Sequence, residues 1–345
     1  MKRCMLIMTL LLAVPPACGA GELQDRQALS EQVSGLFMRE QFDELERMAQ
    51  QFRTTEERTS SGLWKLTLFY SGISDVADSG DEKAQYWESI EAKALRWVNA
   101  YPQSPTPHIA YAMILVGHAW RFRGSGWSNE VKQENWKPFQ EYLARAEKSL
   151  WEHKDVADVD PRWYETMLAI ACAENWDRER FNRLVKEATE RHPYFYQIYF
   201  AAIDYLTPKW HGSKDQIEAF ANFATEKTAA REGVGMYARV YWYVAQVQYR
   251  SRLFTESAVA WGRMKQGIDD VLARYPDQWN INNFAHFACL AWDGRETREL
   301  IERVQGAPIP QAWDSASQYE QCKTWARWDA SAPNKTASTS VDRGG

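Results

Sequence analysis

Three runs of helical periodicity end on an aromatic residue followed by proline, and a second apolar run begins almost at once. The pairs are Tyr101-Pro102, His192-Pro193 and Tyr275-Pro276. Proline cannot continue a helix, and its ring pushes the residue before it out of the helical region. Each following run carries small residues at a similar depth: Ala110, Ala201 with Ala202, and Ala285. Small side chains let two helix backbones approach closely. Helix, proline, helix, with small residues at the crossing, is the pattern of stacked helical hairpins.

The rest of the chain keeps the same period. Leu29, Val33, Leu36 and Phe37 form one stripe, and Phe42, Leu45, Met48, Ala49 and Phe52 the next. Leu63, Leu66, Phe69, Tyr70 and Ile73 follow, then Tyr86, Trp87, Ile90, Ala94, Trp97 and Val98. Period-two alternation is rare, and no Asn-Gly hairpin turn occurs. Thr106-Pro107 and Asp160-Pro161 read as helix starts with a capping side chain before proline, and Ser213 to Gln216 reads as a capping box. Gly233 and Gly235 interrupt two helices. About a dozen helices are expected. Tyr241 to Pro276 most resembles a single tetratricopeptide unit. With 17 Trp, 16 Tyr and 14 Phe, the chain has ample apolar area for one large core. The expected fold is all-α: a degenerate tetratricopeptide-like α-solenoid of stacked helical hairpins, occupying residues 21–329 as a single domain. Residues 330–345 are too polar to pack and are expected to be disordered.

Residues 1–20 have the grammar of a signal peptide. Lys2-Arg3 precede an apolar run from Met5 to Val14, too short to span a bilayer; Pro15-Pro16 end it and Ala17 to Ala20 are small. Cleavage after Ala20 makes the protein exported, with a periplasmic location expected; the alternative is a lipoprotein anchored at Cys18. No later segment is apolar enough for a transmembrane span. Net charge is −5, and no Lys/Arg block offers a nucleic-acid footprint. Beyond the leader the cysteines are Cys172, Cys289 and Cys322. Cys289 and Cys322, one repeat apart, are expected to form a disulfide, whereas Cys172 sits in an apolar run and reads as core.

Chemical motifs are sparse. His108 and His118 lie about 15 Å apart along a helix and cannot share an ion. Asp155, Asp158 and Asp160 suit helix capping. Asp75 to Asp81 fails the calcium-loop spacing. There is no nucleophile elbow and no phosphate loop. No metal, cofactor or catalytic residue is assigned. Two loops stand out, Arg121 to Trp127 and Thr207 to Ser213, each joining Trp, Gly and a basic residue after an apolar helix. Arg123, Trp127, Lys209, Trp210 and His211 are therefore binding candidates, against the plainer reading of turns whose Trp covers a helix end.

Phe42 to Glu46, Gly62-Leu63-Trp64-Lys65-Leu66 with Phe69-Tyr70, Trp97 to Ser104, and Ala119-Trp120 with Arg123-Gly124 occur in an order that resembles a family of exported bacterial proteins carrying domain of unknown function 4034. Tyr205 to Ser213 resembles the same family's Pro-basic-Trp loop, with His211 where Gly or Tyr is expected. The resemblance spans residues 25–328. It implies an all-helical tetratricopeptide-like fold and no assigned activity. The functional expectation is a binding or scaffolding protein that engages a peptide or protein of the cell envelope on its concave face. The alternative is an envelope-associated hydrolase or lyase using carboxylates and His211 near the Trp loops. Two convergent carboxylates with split pKa values would favour the second.

Overall fold

A computed structural model describes residues 21–77, 83–124, 126, 128–210 and 212–331. Among these residues there are helices and turns and no strand; Arg58 and Trp64 form an isolated bridge. The helices are α1 (Glu22–Met38), α2 (Phe42–Thr55), α3 (Lys65–Ala77), α4 (Ala84–Ala100), α5 (Pro105–Arg123), α6 (Gln133–Glu152), α7 (Lys154–Ala157), α8 (Pro161–Ala173) and α9 (Arg178–Arg191). They continue with α10 (Tyr196–Leu206), α11 (Lys214–Glu232), α12 (Gly235–Val244), α13 (Leu253–Glu256), α14 (Trp261–Arg274), α15 (Gln278–Leu290), α16 (Gly294–Glu302) and α17 (Ala316–Ser331). The segments outnumber the expected dozen, in part because α7 and α13 are single turns that periodicity does not separate from their neighbours. α17 extends to Ser331, slightly into the stretch expected to be unstructured.

Successive helices pack as hairpins: α1–α2, α3–α4, α5–α6, α8–α9, α10–α11, α12–α14 and α15–α16, with α17 laid on α16. The first members also pack on one another in order, α1 on α3, α3 on α5, α5 on α8, α8 on α10 and α10 on α12. They form the inner layer of the solenoid. The stack then curves until α1 touches α15. The concave face is closed into the interior of a ring rather than left as an open groove.

The three proline breaks are one structural device used three times. Tyr101, His192 and Tyr275 have φ of −130°, −131° and −131° and ψ of 59°, 58° and 69°. Each still donates its N–H to the carbonyl four residues back, on Trp97, Ala188 and Val271, at 2.9, 2.9 and 2.7 Å. The following proline excludes the helical ψ at this residue, so the last helical bond forms and the next cannot. A side chain of the next helix then takes a carbonyl of the turn. His108 Nε2 lies 2.9 Å from Pro102 O, Tyr199 Oη donates to Pro193 O at 2.9 Å, and Asn280 Nδ2 donates to Tyr275 O at 2.9 Å. Ala110, Ala202 and Ala285 are fully buried where the next helices pack.

Two local expectations are corrected. α5 starts at Pro105, and Ser104 rather than Thr106 caps it, its hydroxyl accepting from Thr106 N at 3.4 Å. Thr106 is buried and accepts from Arg53 Nη2 at 2.7 Å instead. The unit expected from Tyr241 begins earlier, at Gly235. Its first helix leaves α geometry after Val244 through a π-turn, Ala245–Tyr249, which ends at Arg250 with φ of 52°. The turn tucks Tyr249 into the core, and a degenerate repeat gives no sequence sign of it.

Cys289 and Cys322 are bridged, with Sγ atoms 2.01 Å and Cα atoms 5.8 Å apart, tying α15 to α17. Cys172 is buried as a free thiol, and burial pushes its pKa up to about 12, far from a reactive thiolate. No group of His, Cys, Asp and Glu among the described residues is arranged to hold a metal, and no described helix is long and apolar enough to cross a membrane.

Candidate functional site

Each outer helix reverses the chain, so the inner helices α3, α5, α8, α10, α12 and α15 run in one direction. The turns that precede them gather at one edge of the ring, and the turns that follow them gather at the other. The loop 56–64 before α3 belongs to the first edge, and there it meets the C-terminal half of the molecule. Ser61 O accepts from Arg239 Nη2 at 3.0 Å and from Asn280 Nδ2 at 3.1 Å. Arg58 Nη2 donates to Tyr194 O at 2.8 Å, Ser60 Oγ donates to Asp277 at 2.7 Å, and Arg231 pairs with Glu56 at 2.5 Å. From the other side, Glu22 of α1 accepts from the side chains of Thr59, Ser60 and Ser61. Although burial opposes it, these bonds and the Arg26 guanidinium hold the Glu22 carboxyl at about 2. The loop is therefore a plug that closes one end of the ring.

Above the plug lies a cavity of about 550 Å³, lined by α1, α3, α5, α8, α10, α12 and α15. Trp120, Phe200, Trp242 and Trp279 supply apolar wall; Arg162, Glu165, Asp204, Tyr243 and Arg239 supply polar groups. Glu165 accepts from Arg162 Nη1 at 2.7 Å, and burial raises its pKa. Asp204 accepts from the Tyr243 hydroxyl at 2.9 and 2.8 Å. Burial pushes Asp204 up to about 6, with Glu165 adding repulsion and Tyr243 and Lys209 opposing. Both carboxyls thus shift in the same direction. They are a pair that burial biases toward the neutral acid, rather than one acid and one base with split values.

The cavity also concentrates unmet hydrogen bonding. Nine buried side-chain polar atoms lack a partner among the described residues, and five of them belong to residues that line this cavity. They are Arg162 Nε, Glu165 Oε2, Tyr196 Oη, Arg239 Nε and Asn280 Oδ1. Tyr196 Oη is the exception among the five: the Glu232 carboxylate acts on it both by charge and as a side-chain hydrogen-bond acceptor. Buried polar groups in folded proteins are almost always paired; these atoms expose almost no surface to the cavity, so they mark imperfect pairing within its wall.

The candidate loop residues sit elsewhere. Arg123 is tied into its own turn, donating to Gly124 O at 3.0 Å and Gly126 O at 2.8 Å while its guanidinium covers the Trp120 and Trp136 rings. Lys209 lies 6.0 Å from the Trp210 ring. Arg123, Lys209 and Trp210 do not line the cavity. They follow α5 and α10, so they stand at the edge opposite the plug. Trp127 and His211 lie outside the described residues. The residues that the fold does bring together were overlooked in sequence, although a signal existed. Asp204 is the one charged residue of α10, and Arg239 the one charged residue of α12, in otherwise apolar or aromatic helices. A lone charge on an inner helix is costly to bury unless a partner or ligand meets it.

The fold defines an all-helical repeat protein with an internal cavity. Residues 29–144 match the family model described as domain of unknown function DUF4034. That match holds the motifs from Phe42 to Gly124 and stops before the Tyr205–Ser213 loop, so it covers less of the chain than the resemblance suggested. No curated protein and no solved structure matches the chain significantly.

Proposed function

We propose that this protein is an exported binding protein whose ligand sits in the cavity inside the concave face. The observation that carries the reading is one aromatic-walled cavity of about 550 Å³ that gathers Arg162, Glu165, Asp204 and Arg239 from three inner helices. A pocket of this size with a few convergent polar groups is the usual form of a ligand site. The closed ring leaves no open groove for a long peptide to cross. A peptide or protein partner of the envelope would have to enter by a terminus or a short loop, past the rim formed by the turns after α5 and α10. The short apolar run and small residues before Gly21 support an envelope location.

The test is retention. The chain from Gly21 onward is incubated with envelope extract, washed and denatured, and released small molecules and peptides are identified by mass spectrometry. Ala169 lies on the cavity wall with its side chain accessible, so Ala169→Trp fills the space. The wild type should release a discrete species that Ala169→Trp does not retain. Equal retention by both would place the ligand elsewhere.

The alternative reading, a hydrolase or lyase, has two carboxyls in this cavity, Glu165 and Asp204, but both pKa values move up rather than apart, which does not favour it. If the protein is a hydrolase or lyase, a protonated member of this pair is the acid. Glu165→Gln or Asp204→Asn should then abolish turnover of the retained species while leaving its binding measurable.

A further inference from the structure

On the reading that the cavity is the binding site, its charges narrow the ligand to one chemical class. Ser61 of the plug holds two guanidiniums at the floor of the cavity. Arg26 Nη2 donates to its hydroxyl at 2.7 Å and Arg239 Nη2 to its carbonyl at 3.0 Å. All three residues line the cavity. The other charges there are met. Arg26 pairs with Glu22 at 2.6 Å and Arg162 with Glu165 at 2.7 Å. Both Asp204 oxygens accept from Tyr243, and the charges that act on Asp204 are those of Lys209 and Glu165, not Arg239.

Arg239 is different. It is 8% exposed, and among the described residues no carboxylate forms an ion pair with it. Its guanidinium lies 5.1 and 5.5 Å from the centres of the Tyr196 and Tyr275 rings. Arg58 adds a second guanidinium over Tyr196 at 4.6 Å, with its own donors on the carbonyls of Gly62 and Tyr194. Glu232 acts on Tyr196 and does not line the cavity. A buried cation is costly unless an anion meets it, and two rings with one carbonyl meet it only in part. The means to bind one are in place. Arg239 Nη1 makes no hydrogen bond and, unlike Nε, is not fully enclosed. Arg26 Nη1, held by the same serine, is likewise uncommitted and not enclosed.

One unmatched cation calls for one negative charge. A phosphate group, at close to two charges, would leave a surplus in a low-dielectric interior. A carboxylate carries one charge and fits the donor geometry of a guanidinium. The neighbouring wall is apolar, with Met113, Val116, Ala169, Phe200 and Ala201. The group that bears the carboxylate is therefore apolar and small enough for a space of about 550 Å³.

We infer that the plug end of the cavity binds the carboxylate of an apolar organic acid or of a peptide C-terminus, held by Arg239 and Arg26, with the apolar body of the same molecule in the space above.

The test is titration calorimetry at neutral pH on the chain from Gly21 onward. The probes are hexanoate and N-acetyl-trialanine, each beside its uncharged amide, and inorganic phosphate. At least one carboxylate should bind saturably. Its amide should bind roughly tenfold or more weakly, because a hydrogen bond to a charged acceptor is lost. Binding of hexanoate alone identifies a free acid as the source, and binding of the peptide alone a chain terminus. Arg239→Met should weaken the carboxylate by a similar factor and leave the amide unchanged, with circular dichroism confirming that the variant is folded. The comparison of acid with amide on the wild type decides the question if that variant does not fold. Ala169→Trp should abolish binding of either carboxylate. If neither carboxylate binds, if acid and amide bind equally, or if phosphate binds as tightly, the carboxylate assignment is overturned. If acid and amide bind equally and Ala169→Trp expels both, the cavity reading survives alone. If a carboxylate binds but Ala169→Trp leaves it unchanged, both readings fall together.

Discussion

The Ser61 carbonyl oxygen accepts a hydrogen bond from Arg239, 178 residues further along the chain, at 3.0 Å. This contact joins the first hairpins to the last and turns a curved stack into a ring. Gly62, next to it, has φ of 93°, and a Cβ there would fall 2.7 Å from Arg239 Nη2 and 2.8 Å from the Tyr275 ring. Only glycine permits both the turn and the approach. Arg239→Met should therefore destabilise the protein by about 2–3 kcal/mol, from one charge-assisted bond and its ring contacts. Gly62→Ala should cost a comparable amount. Urea unfolding checks both; a change within about 0.5 kcal/mol for Arg239→Met would mean that the ring is held by other contacts.

Acid should loosen the plug from the opposite side. Glu22 has a folded pKa of about 2 against an ordinary 4.5, so it contributes stability above pH 4.5 and loses it as pH falls toward 2. Glu22→Gln should remove that part of the acid sensitivity and be less stable than wild type at neutral pH. Thermal unfolding of the two proteins from pH 7 down to pH 3 should show curves that converge with acid. Parallel curves would rule out Glu22 as the titrating group.

Glu174, at the edge opposite the plug, should act with the opposite sign. Burial raises its pKa to about 7, with the neighbouring Glu147 adding to the effect and Trp176 opposing it. A carboxyl raised on folding stabilises fully below its unfolded value near 4.5, and that contribution is lost as pH climbs to about 7. Glu174→Gln should gain on wild type across that window, by about 1 kcal/mol after allowance for its partial exposure. The comparison needs melting curves at pH 5 and pH 8. An equal difference at both would remove Glu174 from the account.

The bridge from Cys289 to Cys322 closes a loop of 33 residues over α16, whose outer side has only α17 to pack on. Reduction, or Cys322→Ser, should cost about 2–4 kcal/mol and release α17 first. Hydrogen exchange should show protection lost over 316–331 while α5 and α8 keep theirs. In the oxidised chain from Gly21 onward, titration after denaturation should find only Cys172.

The helical class and the hairpin stacking were legible in the chain because they rest on local rules. Proline after Tyr101, His192 and Tyr275 forbids a further helical turn wherever it occurs, and the three turns share nearly the same backbone angles. Apolar periodicity likewise named the buried faces, and Cys289 and Cys322 stood one repeat apart. Ring closure was not legible, because it depends on small rotations summed over seven hairpins. The site followed from closure. Arg162, Glu165, Asp204, Arg239 and Asn280 lie on four helices spread over more than a hundred residues, and their spacing matches no motif. Asp204 and Arg239 were visible only as lone charges in apolar helices. The sequence could mark the cost of burying them; only the tertiary structure could bring them to one cavity, where a ligand can offset it.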